Sequence, residues 1–217
     1  MKFDTQDNII LFDKPYGKTS FQIVKKIKKI TGLKKIGHAG TLDPLATGLL
    51  ILCTGKFTKK ISEIQLQEKE YTGTLVLGAT RPSYDMETEI DKTFSIEKIK
   101  PENIYLVIEK FKGTTEQTPP VFSAVKVNGK RAYESARRGE EIFIKPKTVE
   151  IKELEITEIR LPEVDFRVVC SKGTYIRSLV NDIGKELKNG AYLSALRRTR
   201  TGDYIVENAL NDDDFIK

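Results

Sequence analysis

Asp43 lies within Gly37-His38-Ala39-Gly40-Thr41-Leu42-Asp43-Pro44-Leu45-Ala46-Thr47-Gly48-Leu49-Leu50, a run holding three glycines, a proline, one acid and the chain's only histidine. Glycine admits left-handed backbone and close approach, and proline fixes φ, so this composition builds a loop that keeps one carboxylate in one place. A carboxylate held that way can serve as a nucleophile or a base, and His38 nearby makes an acid-base pair conceivable.

Other chemistries lack their residues. The neighbourhood has no second acid at close spacing, no GxSxG and no second histidine, which removes two-acid glycosidase logic, a serine triad and zinc hydrolysis. Cys53 and Cys170 stand far apart among aliphatic neighbours without a CxxC, and are expected as buried thiols, with no zinc and no disulfide. Neither GxxxxGK[ST] nor GxGxxG occurs, so a nucleotide cofactor has no obvious seat. Asp43 is left to act largely alone, and a nearby cation should keep it ionised. Arg177 is the best candidate, in Lys172-Gly173-Thr174-Tyr175-Ile176-Arg177, where a glycine turn leads into a helix; a plain surface arginine is the alternative.

The elements that must position these residues form a mixed α/β pattern without repeats or linkers. Ile23, Val24, Ile27 and Ile30 recur at helical spacing, capped by Thr19 or Ser20 and stopped at Gly32. The spacing predicts strands over 71–77 and 121–127, the latter closed by an Asn128-Gly129 turn and followed by a short helix over 130–138. Further strands are expected over 148–160, 164–171, 192–201 and 204–206. A helix over 174–187 carries Ile176, Leu179, Val180, Ile183 and Leu187 on one face. Short turns join neighbouring strands as often as helices do, so the expected fold is α+β: a mixed, largely antiparallel central sheet flanked by helices.

The chain of 217 residues carries a net charge of +6, is 39% hydrophobic, and suits one well-buried domain. No apolar run is long enough to cross a bilayer and the first residues lack a signal-peptide layout, so a cytoplasmic protein is expected. Lys25, Lys26, Lys28, Lys29, Lys34 and Lys35 make one basic face. Further clusters stand at Lys126-Lys130-Arg131, Arg137-Arg138 and Arg197-Arg198-Arg200, while acids collect at 85–91 and 212–214. Such segregation suits a phosphate backbone and makes nucleic acid the leading partner.

The run around Asp43 resembles the signature of the TruB family of pseudouridine synthases. Four further segments are similar to that family's pattern in the same order: Phe12-Asp13-Lys14-Pro15-Tyr16-Gly17-Lys18-Thr19-Ser20, Lys69-Glu70-Tyr71, Pro120 to Lys130, and Gly173-Thr174-Tyr175-Ile176-Arg177. The resemblance implies a pseudouridine synthase fold and the cofactor-free isomerisation of uridine 55 in the T loop of tRNA, with Asp43 as the catalytic aspartate. Attack at the sugar C1′, attack at the uracil C6 and removal of a sugar proton all stay open for it.

By the same resemblance Arg177 pairs with Asp43, and Tyr71 stacks on the flipped uracil and handles the proton at C5. His38 helps extrude and replace the base, Tyr175 lines the pocket floor, and Lys14 braces the loop. Base flipping costs a few kcal/mol that stacking on an aromatic ring can offset. Residues 112–142 are implied to be a mobile insertion that grips RNA through Lys126, Lys130 and Arg131, with Gly113, Gly129 and Gly139 as hinges. The rest implies a single catalytic domain over 1–217, a monomer with no protein partner, no membrane, no metal and no C-terminal PUA domain. A guide-RNA-dependent relative and a tRNA-folding helper are the competing readings.

Overall fold

The computed structural model describes residues 7–215, apart from 124, 128, 137, 139 and 141 and from the side chains of 126, 130, 131, 135 and 215. It divides into two compact units, one made of the chain up to Thr72 together with Leu196 onward, the other of Gly73–Ala195. Strands β4 (Lys69–Leu77) and β12 (Ala191–Thr201) each begin in one unit and end in the other.

The first unit holds β1 (Ile9–Lys14), α1 (Ser20–Thr31), β2 (Ile36–His38), β3 (Thr47–Thr54), α2 (Ile61–Leu66) and β13 (Tyr204–Ile205). Its strand order is β1-β3-β12-β4, with β2 also on β3 and β13 on β12. β1 and β2 run antiparallel to β3, whereas β12 runs parallel to it. Apolar side chains cover both faces of β3. Leu50 and Leu52 pack with Ile10, Phe12 and the Ile23, Val24 and Ile27 stripe of α1, while Leu49, Ile51 and Cys53 pack with Ile64 and Val206. A strand buried on both faces needs no polar alternation, which explains the unbroken run Leu49-Leu50-Ile51-Leu52-Cys53.

α1 starts at Thr19, whose hydroxyl accepts from the Gln22 N–H while the Gln22 side chain accepts from the Thr19 N–H, and it ends at the left-handed Gly32. Ile30, expected on the buried stripe, is exposed instead.

The second unit holds β5 (Ala79–Thr80), β6 (Lys92–Thr93), α3 (Pro101–Glu109), β7 (Gly113–Gln117), β8 (Lys126–Val127), β9 (Lys130–Arg131), α4 (Ala132–Ala136), β10 (Lys147–Arg160), β11 (Glu163–Cys170) and α5 (Ile176–Glu186). Its main sheet runs β12-β4-β11-β10-β7, antiparallel from β11 through β7, and α3 lies against β10 and α5. The mixed, largely antiparallel sheet flanked by helices is therefore the observed fold class.

Several boundaries differ from expectation. The strand over 121–127 shrinks to Lys126–Val127: ahead of it the Phe122 carbonyl accepts from Arg177 of α5 and the Ser123 carbonyl from the Tyr133 N–H, rather than from a ladder. The helix over 130–138 is α4, only Ala132–Ala136, after a two-residue strand. The first and last residues of the Asp43 run belong to β2 and β3, leaving 39–46 as the loop proper. The expected hinge Gly139 lies outside the described residues, as do Asn128 of the turn and Arg137.

Candidate functional site

In the first unit the loop between β2 and β3 is tied down on both sides of its acid. Ser20 Oγ accepts from the Leu42 N–H at 2.9 Å and donates to the Leu42 carbonyl at 3.0 Å. Beyond Asp43, the Pro44 carbonyl accepts from the Gly17 N–H at 2.9 Å and from Lys14 Nζ at 3.2 Å. A turn closes from the Ala46 N–H to the Asp43 carbonyl at 3.1 Å. Asp43, half-buried, thus has both neighbours fixed by long-range hydrogen bonds.

Lys14 lies wholly buried at the end of β1. Its ammonium also donates to the carbonyls of Pro15 and Lys18, at 3.0 and 2.7 Å, so all its protons are used on backbone. Burial pushes its pKa down to about 8, against the opposing pull of Asp43 and with a further push from Arg198.

Strand register accounts for that second cation. Lys14 of β1 faces Gly48 of β3, and Gly48 faces Arg198 of β12, so two buried cations flank one glycine. A Cβ at Gly48 would lie 2.3 Å from the Arg198 carbonyl oxygen, and the φ of +97° is one that side chains resist. Arg198 donates from Nε to Leu49 O at 2.7 Å and from Nη2 to Gly40 O at 3.2 Å, gripping the loop at its two ends.

His38, half-buried on β2, has its pKa lowered by burial, raised in part by the Gly40 backbone and lowered again by Arg198. Its Nδ1 is buried and has no hydrogen-bond partner among the described residues. Tyr71 is buried on β4. Lys14, His38 and Asp43 therefore stand at one loop of the first unit.

The second unit holds Tyr175 and Arg177. Tyr175 caps α5, and its backbone exchanges a reciprocal pair of hydrogen bonds with the Gln117 side chain, 2.7 Å from the Tyr175 N–H and 3.1 Å to its carbonyl. Arg177, 3% exposed, is no surface residue: it donates to the carbonyls of Ser83 at 3.2 Å and Phe122 at 3.0 Å, and its Nε stands 3.6 Å from the carboxylate of buried Asp85.

Sequence reasoning missed Arg198, Ser20, Asp85 and Gln117. Asp85 belongs to the acidic stretch over 85–91, yet it is buried. The cluster Arg197-Arg198-Arg200 is not an open basic patch either. Arg197 makes a bidentate pair with Asp13 at 3.0 and 2.6 Å, Arg198 is 1% exposed, and Arg200 meets Glu68 at 2.9 Å. The acids at 212–214 are not segregated from the basic helix, because Asp212 pairs with Lys26 at 2.7 Å. Lys25, Lys28, Lys29, Lys34 and Lys35 remain exposed. The side chains of Lys126, Lys130 and Arg131 lie outside the described residues; their backbones form the β8-β9 hairpin.

Residues 28–176 match the family model described as TruB family pseudouridylate synthase (N terminal domain), and residues 177–216 match tRNA pseudouridylate synthase B C-terminal domain. The chain is 57% identical to tRNA pseudouridine synthase B of Flavobacterium johnsoniae over 213 residues, 95% of this chain and 93% of the relative. It is 53% identical to the protein of the same name from Phocaeicola vulgatus, covering 97% and 92%.

Among solved structures, one described as a Cbf5-Nop10-Gar1 complex matches with TM-score 0.77 and 33% identity, over 97% of this chain and 54% of that one. Another, an H/ACA RNP bound to a substrate RNA containing 2′-deoxyuridine, matches with TM-score 0.73 and 30% identity, over 97% and 52%. The chain thus spans about half the length of these solved proteins. With the acid of that run braced on both sides and family models matching from residue 28 to 216, the chain belongs to the TruB family of pseudouridylate synthases.

Proposed function

We propose that this protein isomerises uridine 55 in the T loop of tRNA to pseudouridine, flipping the base out and using Asp43 without a cofactor. The observation that carries the reading is the bracing of Asp43 on both sides, at Leu42 by Ser20 and at Pro44 by Gly17 and Lys14. A single acid held this firmly suits a reaction that breaks the C1′–N1 bond, turns the uracil over and joins C1′ to C5. The proton lost from C5 balances the one gained at N1. The route by which Asp43 acts is attack at C1′, attack at C6, or removal of a sugar proton.

The relatives named tRNA pseudouridine synthase B support tRNA as the substrate, and the solved relative bound to a substrate RNA supports an RNA-facing site. In this reading Arg177 pairs with Asp43 in the working enzyme and Tyr71 stacks on the flipped uracil and takes up the C5 proton. His38, whose pKa burial lowers, fills the gap left by the base. Tyr175 lines the pocket. Residues 112–142, with left-handed glycines at 113 and 129, grip the RNA through Lys126, Lys130 and Arg131. The protein works as a monomer in the cytoplasm, without a protein partner.

The test is to incubate the purified protein with an unmodified tRNA transcript, free of other factors, and map pseudouridine by chemical adduct and primer extension. A stop at uridine 55 is expected. No product at the T-loop uridine would sink the reading.

A further inference from the structure

Arg198 is a buried charge of the first unit that the reading above leaves without a task. The residue is 1% exposed, and its guanidinium makes two hydrogen bonds, both to backbone carbonyls, with no carboxylate within ion-pair distance among the described residues. A buried cation without a close anion is costly and is normally paired. Here it also lies in register with a second buried cation, Lys14, across Gly48. Both neighbours cost stability, yet they sit on either side of the strand that follows the Asp43 loop.

We propose that Arg198 is the positioning residue of this site: it clamps the Gly40 and Leu49 carbonyls at the two ends of the Asp43 loop and supplies the fixed positive charge against which Asp43, Lys14 and His38 are set. The clamp is geometric. Gly40 opens the loop and Leu49 lies in β3 just past its end, and one planar guanidinium bonds to both through a rigid fork that a lysine's point-like ammonium lacks. Gly48 keeps the contact open, since any side chain there would strike the Arg198 backbone.

The charge acts on named groups. Lys14 feels Arg198 against Asp43, and His38 feels Arg198 against the Gly40 backbone. Arg198 therefore acts through Lys14 and His38 and need not touch the RNA. For Asp43 the inference rests on the catalytic reading above; for His38 it does not.

Two variants separate the two duties. Arg198→Lys keeps the charge and loses the fork, while Arg198→Gln loses the charge and keeps amide donors; circular dichroism and melting establish that each is folded. With saturating protein and T-stem-loop RNA under single turnover, Arg198→Lys is expected to form pseudouridine at least tenfold more slowly while binding RNA within threefold of wild type. A smaller slowing, or a loss of affinity in its place, would overturn the clamp.

His38 is the only histidine in the chain, so its ring gives one NMR titration curve that requires no RNA. The midpoint is expected to rise by about half a pH unit or more in Arg198→Gln and to stay at the wild-type value in Arg198→Lys. An unmoved midpoint in Arg198→Gln would overturn the assignment of charge. If that variant does not fold, the rate measured for Arg198→Lys decides. Should wild type itself make no pseudouridine, the catalytic reading fails, and the histidine curve still decides whether Arg198 sets the field.

Discussion

Lys14 is held between burial, which favours its neutral form, and Asp43, which favours its charge. The outcome, a pKa of about 8, leaves it mostly protonated at pH 7, with its three protons on the carbonyls of Pro15, Lys18 and Pro44. A lysine whose folded pKa lies below its ordinary 10.5 binds fewer protons folded than unfolded between those values, so stability rises with pH across that window. Below pH 8 both states carry the proton and the full cost of burial is felt. Lys14 alone should add about 3 kcal/mol of stability between pH 8 and 10.5, at about 1.4 kcal/mol per pH unit. Cys53 and Tyr204, both raised, oppose this in the same range, so the quantity to measure is a difference. Urea unfolding of wild type and Lys14→Met from pH 7.5 to 10.5 should show the wild type gaining on the variant as pH rises; parallel curves would refute it.

Gly48 shows the same site at the scale of strands. The strand β3 carries Asp43's loop only because β12 can lie directly alongside it, and that closeness requires a residue without a side chain. Gly48→Ala forces a Cβ to within 2.3 Å of the Arg198 carbonyl at a φ of +97°, and at least 1–3 kcal/mol of stability should be lost, as read by chemical denaturation. A variant as stable as wild type would mean the strands separate more easily than this register implies. The loop itself was legible in sequence because its glycines, proline and acid are contiguous. Helix α1 was legible too, since the capping Thr19 and the Ile23, Val24 and Ile27 stripe are local signals. Arg198 was not: 149 residues separate it from Leu49, and the pairing of β12 with β3 buries it, so three arginines within four residues read as a basic patch. β3 was also passed over, because a run buried on both faces shows no alternation to mark it as a strand. Val121 to Val127 carries strand-like composition, yet its Phe122 carbonyl is spent on Arg177 of α5, a demand set by a helix more than fifty residues away.

At the scale of the whole molecule the net charge of +6 looks like a general attraction for RNA, but much of it is spent internally. Arg197, Arg200 and Lys26 have acidic partners and Lys14 and Arg198 are buried, whereas Lys25, Lys28 and Lys29 of α1 stay exposed, as do Lys34 and Lys35, as a cluster suited to phosphates. Affinity for tRNA should therefore fall with salt, and replacing Lys25, Lys28 and Lys29 by glutamine should flatten the plot of log affinity against log salt by about 2–3. An unchanged slope would place the RNA elsewhere. Rate and affinity should then separate, with α1 governing binding and the braced loop governing chemistry. The most direct test of that division is single-turnover conversion of an unmodified tRNA transcript by wild type and by Asp43→Asn, both at saturating protein. Wild type should convert uridine 55 while Asp43→Asn binds the same RNA and yields no pseudouridine; measurable pseudouridine from Asp43→Asn would contradict the assignment of the chemistry to this one carboxylate.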